Sequence, residues 1–428
     1  MSGAHVITTL SSGVRVVTER IPAVRSVALG FWIATGSGAE TEAQAGLSHL
    51  LEHMLFRGTA RYRSEEIDQI FDSMGAECNA GTGKESTSVY ARVLDQHLER
   101  AFDVIAQMVC EPALESLAEE REIVLEEIAM YEDDPQDLIF DILGETIFPD
   151  HPLGRSTLGR AEVVGGATRA KIARFHRDRY VPGAIVIAAA GSVDHDQVVE
   201  WASAAFPSGP SAKPLAAAPR PPAETPPGMS FRVRDTEQYH LTLGGPAIAR
   251  DDDRRFALRV LDAILGGTSS SRLFQAVRER RGLAYSVFSF HGLYAATGQV
   301  GVYVGTRPEN LGPVGEVLAE ELARIRVEAV EPEELERAKD NVKGRVVLAL
   351  ESTAARMDRL GGSLLAGMPI LELDETIERI EAVDTESVGA LAAELFDPRR
   401  LSAAAIGPDE AAFRDAIAPV VADPVGRA

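Results

Sequence analysis

The stretch PSGPSAKPLAAAPRPPAETPP, at residues 207–227, holds eight of the 23 prolines in the 428-residue chain. Each proline fixes its own φ angle and lacks a backbone N–H, so a packed helix or strand does not tolerate this density. We therefore predict an extended linker over residues 207–229. It separates two parts of similar size, residues 1–206 and residues 230–428.

Both parts show the same order of strand and helix patterns. Apolar, β-branched runs typical of buried strands stand at Ser26–Ala34 in the first part and at Tyr239–Leu243 in the second. Helical patterns follow at 46–56 and 255–265, and a Gly-Thr pair comes soon after each of them. These parallels predict a duplicated α+β fold: two homologous units, each with a mostly antiparallel or mixed sheet covered by helices.

The composition excludes several classes of function. With 43 Lys and Arg against 65 Asp and Glu, the formal charge is −22, which is unfavourable for binding nucleic acid or an anionic membrane. The longest near-apolar stretch, Gly183–Val193, is too short to cross a bilayer. The chain begins without the pattern of a secretory signal, and its two cysteines, Cys78 and Cys110, cannot form a disulfide framework. These features predict a cytoplasmic protein.

The first helical segment contains the motif H-x-x-E-H. His49 and His53 are four residues apart, and Glu52 is three residues after His49, so all three side chains leave one face of a helix. Two imidazoles at this spacing can bind one metal ion, and Glu52 then lies beside the ion, where it can take a proton from a water molecule. We interpret the motif as a metal site rather than as two core histidines.

A catalytic zinc usually has three protein ligands, and the acidic helix over residues 115–128 is the obvious source of the third. At about 100° per residue, an apolar stripe runs along one side of this helix. Glu120 and Glu127 flank the stripe, whereas Glu122 and Glu126 point away from it. The helix periodicity therefore selects Glu127 or Glu120 and does not decide between them.

Three separated motifs resemble those of the pitrilysin/insulinase family of zinc peptidases. They read HLLEHMLFRGT at 49–59, ECNAGTGKESTSVY at 77–90 and EREIVLEEIAMYEDDP at 120–135. Within that family, the chain is similar to the short bacterial members related to the β-subunit of the mitochondrial processing peptidase. The resemblance extends over nearly the whole chain.

This resemblance implies a role for each site residue. His49, His53 and Glu127 would bind one Zn²⁺ per chain, Glu52 would act as the general base, and Glu120 would be the supporting carboxylate. Residues 79–82 would form an edge strand on which an extended peptide substrate adds, with Asn79 and Ala80 at the substrate. In the second part, Arg278 and Tyr285 would bind the substrate backbone and stabilise the oxyanion.

The duplication provides an internal comparison. At an offset of 209, His49, Glu52 and His53 correspond to Leu258, Leu261 and Asp262, and at an offset of 218 Glu127 corresponds to Arg345. The second unit is therefore predicted to keep the scaffold without the metal site.

The sequence thus predicts a zinc metalloendopeptidase that cleaves unfolded or presequence-like peptides. Long family members close a chamber from four such units and this chain has two, so a homodimer or a heterodimer is expected. In that dimer, Arg278 and Tyr285 of one subunit would face the zinc of the other. The alternative is a non-catalytic peptide-binding or scaffold subunit of a heterodimeric peptidase or a larger complex.

Overall fold

The computed structural model describes residues 5–207, 226–422 and 425–426. Most of the predicted linker, residues 208–225, lies outside the described residues, and the first strand after it already begins at Gly228. The strands are β1 (Val6–Thr9), β2 (Arg15–Arg20), β3 (Ser26–Ile33), β4 (Glu77–Thr82), β5 (Thr87–Leu94), β6 (Ile185–Gly191), β7 (Gly228–Val233), β8 (Tyr239–Ala247), β9 (Ala284–Leu293), β10 (Gly298–Thr306), β11 (Ser402–Gly407) and β12 (Val425–Gly426).

Within the described part of the chain, the α-helices outnumber the strands. They are α1 (Leu47–Leu55), α2 (Ser64–Ser73), α3 (Leu98–Cys110), α4 (Leu117–Asp133), α5 (Pro135–Ile147), α6 (Ala161–Gly165), α7 (Arg169–Arg179), α8 (His195–Ala205), α9 (Arg255–Leu265), α10 (Leu311–Val327), α11 (Pro332–Ala349), α12 (Thr353–Leu365), α13 (Leu373–Glu381), α14 (Thr385–Leu395) and α15 (Glu410–Ile417). None of the helices described is both long and apolar enough to span a membrane.

The first unit is built on a six-stranded mixed sheet in the order β1-β2-β6-β3-β5-β4. β2 and β6 are parallel, and the other neighbouring strands are antiparallel. Every residue of β6 is buried, as expected for a strand that is covered on both faces of its sheet. This explains why its sequence, IVIAAAG, is continuously apolar rather than alternating.

Helices cover both faces of this sheet. On one face, α1 and α3 contribute Leu50, Leu51 and Phe102 to the main core, where they join Phe31 of β3. On the other face, α12 packs against β3 and β6. A Cβ on Gly361 of α12 would lie 2.1 Å from the Trp32 indole nitrogen, so only glycine permits this approach.

The second unit repeats the topology of the first. Its sheet has the order β12-β7-β11-β8-β10-β9, in which the parallel pair β11 and β7 corresponds to β6 and β2 of the first sheet, and the neighbouring strands from β11 to β9 are antiparallel. The outermost strands differ, because β12 is parallel to β7 whereas β1 is antiparallel to β2. Two similar α+β units with mixed sheets are therefore present, as the sequence patterns predict.

The compact units differ from the predicted boundaries, 1–206 and 230–428, at two segments. Within the described residues, the first unit comprises 5–129, 155–207 and 347–372, and the second comprises 130–154, 226–346, 373–422 and 425–426. α5 therefore packs in the second unit, where Leu138, Ile139 and Leu143 contact Tyr303 and Ile406. α12 packs in the first. Each sheet has two apolar faces, and one face in each unit is covered by a helix from the other half of the sequence.

Candidate metal centre

The start of α1 is fixed by a glycine and a buried carboxylate. Gly46, the residue before the helix, has a φ of +101°, and a Cβ there would lie 2.8 Å from the Leu158 carbonyl oxygen. The Glu40 carboxylate accepts hydrogen bonds from the backbone N–H groups of Gly46 (2.9 Å) and Ser48 (2.6 Å). These groups would otherwise be unsatisfied donors at the helix N-terminus. Burial raises the pKa of Glu40, and the two hydrogen bonds act against this shift.

Three ligand atoms converge beside α1. The Nε2 atoms of His49 and His53 are 3.2 Å apart, and Oε2 of Glu127 in α4 lies 3.6 Å and 3.4 Å from them. A tetrahedral ion with ligands at about 2.1 Å separates its ligand atoms by about 3.4 Å. These separations fit a zinc ion bound by two histidines and one carboxylate. Within the described residues, no second group of three or more His, Cys, Asp and Glu side chains converges in this way.

Glu120 lies on the opposite side of the His53 ring. Its Oε1 atom is 2.9 Å from Nδ1 of His53, and its Oε2 atom accepts a hydrogen bond from Arg57. Glu120 is only 2% exposed. A carboxylate in this position orients a metal-binding imidazole and makes it a better ligand. The two candidates that the helix periodicity left open therefore occupy different places, with Glu127 among the ligand atoms and Glu120 behind one of them.

The environment of His49 favours the neutral imidazole that binds metals. Burial, reinforced by the neighbouring His53, lowers the pKa of His49 to about 4. The His49 ring is therefore uncharged at neutral pH. Nδ1 of His49 is buried and has no hydrogen-bond partner among the residues that the structure describes.

Glu52 is the third residue of the motif and adjoins the ligand group. Its Oε2 atom accepts a hydrogen bond from the hydroxyl of Thr82 at the end of β4. Burial raises the pKa of Glu52, while the hydrogen bond from Thr82 and the proximity of His53 lower it. A carboxylate with a raised pKa is suited to accept a proton and later release it.

The predicted substrate strand lies at the edge of the first sheet. β4 pairs with β5 on one side, through registered pairs such as Asn79 with Tyr90, and is the last strand of the sheet on the other. Asn79 is exposed, and its side chain accepts a hydrogen bond from the Ala80 backbone N–H at 2.8 Å. An edge strand presents backbone groups that an extended peptide can pair with.

Arg278 and Tyr285 belong to the second unit and contact each other there. Arg278 lies in a six-residue π-helix, Phe274–Glu279, and donates a hydrogen bond to the Tyr285 carbonyl oxygen at 2.9 Å. Its guanidinium group also lies 4.5 Å from the centroid of the Tyr285 ring. Tyr285 is 78% exposed. The metal-ligand group belongs to the first unit, whereas Arg278 and Tyr285 belong to the second.

In the second unit, the residues that correspond to the three metal ligands and to the predicted base have other roles. Leu258 and Leu261 are buried in the core on α9. Asp262 accepts a hydrogen bond from the Ser289 hydroxyl at 2.6 Å, and Arg345 donates one to the Gly267 carbonyl oxygen. These side chains do not form a metal-ligand group.

Sequence reasoning missed three residues of this region. Arg57, which binds Glu120, lies two residues after the end of α1 at Leu55, so the helix periodicity of the motif does not place it. Glu40 caps α1 from a preceding loop, and the Thr82 hydroxyl reaches Glu52 from another element. No spacing rule relates these last two residues to the motif.

Comparison with known proteins agrees with this geometry. Residues 15–161 match the family model described as Insulinase (Peptidase family M16), and residues 166–342 match the model described as Peptidase M16 inactive domain. An uncharacterized zinc protease of Streptomyces coelicolor is 43% identical, with 96% of this chain and 92% of that protein covered. Another from Bacillus subtilis is 39% identical, with 91% and 95% covered.

Solved structures show the same fold. A peptidase M16 inactive domain from Pseudomonas fluorescens superposes with a TM-score of 0.87 at 25% identity, covering 95% of this chain and 98% of that one. A protease from Helicobacter pylori gives a TM-score of 0.88 at 21% identity, covering 95% and 100%. The family-model matches, together with relatives that are similar over almost their whole length, place this chain in the M16, or insulinase, family of peptidases.

Proposed function

We propose that this protein is a zinc-dependent endopeptidase. The observation that carries the proposal is the convergence of His49, His53 and Glu127, with Glu52 next to them on the same helix. Two imidazoles and one carboxylate are a donor set typical of catalytic zinc. The relatives named zinc proteases support the same choice of metal.

When bound, zinc would supply Lewis acidity, which makes a water molecule more acidic and polarises the substrate carbonyl. The chain's own residues then handle the protons. Glu52 accepts a proton from water as the water oxygen bonds to the carbonyl carbon of the scissile peptide. When the carbon–nitrogen bond breaks, Glu52 returns that proton to the leaving amine. Glu120 holds the His53 ring in its orientation throughout.

The proposed substrate is an extended, unfolded peptide that adds to the open edge of β4. Backbone hydrogen bonds along Asn79 and Ala80 would bind it without regard to its sequence. Arg278 would contribute a cation, and Tyr285 its exposed ring and hydroxyl, to the substrate backbone and to the charge that develops on the attacked carbonyl. The formal charge of −22 favours basic peptides, such as Arg-rich presequences.

The proposal includes a dimer in which two copies enclose the substrate. It is supported by the two-unit content of the chain, in which the metal ligands belong to one unit and Arg278 and Tyr285 to the other. In such a homodimer, Arg278 and Tyr285 of one subunit serve the metal site of the other. The alternative to this homodimer is a heterodimer with a related subunit.

A non-catalytic peptide-binding or scaffold subunit is the second candidate. The observation that favours it is the match of residues 166–342 to a model described as an inactive domain. That match includes Leu258, Leu261 and Asp262, the residues that correspond to His49, Glu52 and His53. The first half keeps His49, Glu52 and His53, so we prefer the enzyme.

The enzyme is tested with purified protein, a fluorogenic peptide and metal analysis. We expect one zinc per chain and cleavage that a chelator abolishes and zinc restores. Glu52→Gln should keep its zinc and lose roughly 10²- to 10⁴-fold in kcat. Glu126→Gln, an exposed change on α4, is the matched control and should behave as wild type. Cleavage that survives chelation or the Glu52→Gln change would refute the mechanism.

The dimer is tested by mixing two inactive variants. Glu52→Gln lacks the base, and Arg278→Ala lacks the predicted substrate cation. If each subunit serves the metal site of its partner, a co-expressed mixed dimer contains one intact site and regains activity. Without such sharing, every site lacks one component and the mixture stays inactive. Light scattering on the same samples reports whether the chain is dimeric at all.

A further inference from the structure

Thr82 makes the contact that fixes the predicted base from outside its own helix. It is the last residue of β4, and its hydroxyl donates a hydrogen bond to Oε2 of Glu52. The Thr82 backbone also interacts with the same carboxylate. Glu52 is therefore held from a second element as well as from α1.

The backbone around Thr82 is itself firmly anchored. Thr82 pairs with Thr87 across the β4–β5 hairpin, and the Gly83 N–H donates to the Ser86 carbonyl oxygen at 2.7 Å. The loop before α1 also binds this turn, because the Ser37 N–H donates to the Gly83 carbonyl oxygen at 3.1 Å. A Cβ on Gly36 would lie 2.2 Å from that oxygen, so the approach is close. The hydroxyl of Thr82 thus has a well-defined position.

We propose that Thr82 is a positioning residue that orients the Glu52 carboxylate for proton transfer. This inference rests on the proposed peptidase function. With Oε2 accepting the hydrogen bond from Thr82, the other oxygen, Oε1, takes the proton from water. A carboxylate free to rotate would present the correct oxygen only part of the time.

The position of Thr82 also relates the base to the substrate. Asn79 and Ala80, where the peptide is proposed to bind, lie on the same strand, three and two residues before Thr82. A peptide paired with β4 would therefore bind to the strand that also sets the orientation of Glu52. This places substrate binding and the base on one rigid element, an arrangement that favours catalytic precision.

The test compares Thr82→Val, which removes the hydroxyl at nearly constant volume, with Thr82→Ser, which keeps it. We expect Thr82→Val to lower kcat about 10- to 100-fold, with KM within about twofold of wild type. Thr82→Ser should recover kcat to within about threefold. Zinc content and the melting temperature are measured on every variant, and Thr82→Ala replaces Thr82→Val if the latter does not fold.

A double variant separates a role through Glu52 from a general structural role. In the Glu52→Gln background, Thr82→Val should cause little further loss of kcat, because the group it orients is already gone. A wild-type kcat for Thr82→Val, a loss that serine does not rescue, or a full additional loss in the double variant would overturn the inference. A wild-type protein without chelator-sensitive cleavage would instead refute the proposed function, so the two failures are distinguishable.

Discussion

At the scale of single residues, Glu120 shows how a buried carboxylate supports a metal ligand without belonging to the ligand group. It contacts Nδ1 of His53, on the side of the ring away from the ligand atoms, and is bound by Arg57. Glu127 lies seven residues later on the same helix, α4, and faces Nε2 of the same ring. Two similar side chains on one helix therefore have different chemistry.

Replacing Glu120 should weaken metal binding rather than abolish it. Glu120→Gln keeps the size of the side chain but removes the charge that strengthens His53 as a donor. We expect zinc affinity to fall about 10- to 100-fold, measured by competition with a chromogenic chelator. Glu126→Gln, on the exposed side of α4, should leave the affinity unchanged. An unchanged affinity in Glu120→Gln would contradict a supporting role for this carboxylate.

The two cysteines provide a pH-dependent prediction at the same scale. Burial raises the pKa of both Cys78 and Cys110 to about 12. Only the thiolate reacts with a disulfide reagent, so at pH 8 the reactive fraction falls roughly a thousandfold below that of an ordinary thiol. We expect negligible labelling of the native protein, faster labelling as the pH rises towards 12, and two thiols per chain after unfolding. Rapid labelling at pH 8 would show that these side chains are accessible as thiolates.

Part of this site could be predicted from residues alone. His49, Glu52 and His53 share one helix face because of their spacing along the chain, and this spacing can be seen in the sequence. The choice between Glu120 and Glu127 could not be made from the periodicity, because both flank the same apolar stripe. It depends on which side of the His53 ring each carboxylate reaches, and that is set by how α4 packs beside α1.

At the scale of elements, the bounds of helices were predicted well where the breaking signal is local. α9 occupies the predicted span, Arg255–Leu265. α4 begins at Leu117 rather than at residue 115, where the predicted acidic helix begins, because Leu114 and Ser116 have φ angles of +53° and +54°. Helical backbone requires negative φ. Leu and Ser are not residue types that indicate a positive φ, so the sequence does not predict this later start.

The start of α1 gives a prediction about stability. Gly46→Ala would place a Cβ at a φ of +101° and 2.8 Å from a backbone oxygen. Gly75→Ala is the matched control. Gly75 also has a positive φ, +60°, but a Cβ added there would have no heavy atom of the described residues within 4 Å. We expect Gly75→Ala to cost about 1 kcal/mol of unfolding free energy, and Gly46→Ala roughly 3 kcal/mol or more.

Chemical denaturation with a spectroscopic probe measures both variants. Since α1 bears His49 and His53, Gly46→Ala should also lower zinc affinity, whereas Gly75→Ala should not. Equal stability losses in the two alanine variants would show that the close approach of Gly46 to the Leu158 carbonyl is not maintained in solution.

At the scale of the whole molecule, the sequence predicts two similar α+β units but not the exchange of segments between them. The apolar run of β6 indicates a strand covered on both faces. It does not indicate that α12, more than 150 residues later in the chain, provides the second cover. Amphipathic helices look alike in sequence, so which sheet each one covers is decided by non-local packing.

The exchanged segment 347–372 is bound by charge as well as by apolar contact. Glu19 of β2 is 0% exposed and is paired with Arg356 and Arg359 of α12. Breaking a buried pair of this kind leaves uncompensated charge and costs several kcal/mol. Met357 and Leu360 of the same helix are buried against Ala28 and Ala188. α12 is therefore an integral part of the first unit, although the chain reaches it only after most of the second.

This exchange predicts that the two halves stay together after the chain is cut between them. A site for a sequence-specific protease, inserted within residues 208–225, would yield two fragments. The N-terminal fragment contains α5, which packs in the second unit, and the C-terminal fragment contains α12, which packs in the first. Neither fragment can leave without removing a helix from a core.

We expect two bands under denaturing conditions but one complex of unchanged mass by size-exclusion chromatography with light scattering, with zinc still bound. Denaturant should separate the fragments. If they separated without denaturant, each sheet would have to be stable with one apolar face uncovered. The burial of Val17, Ala28 and Val186 argues against such stability.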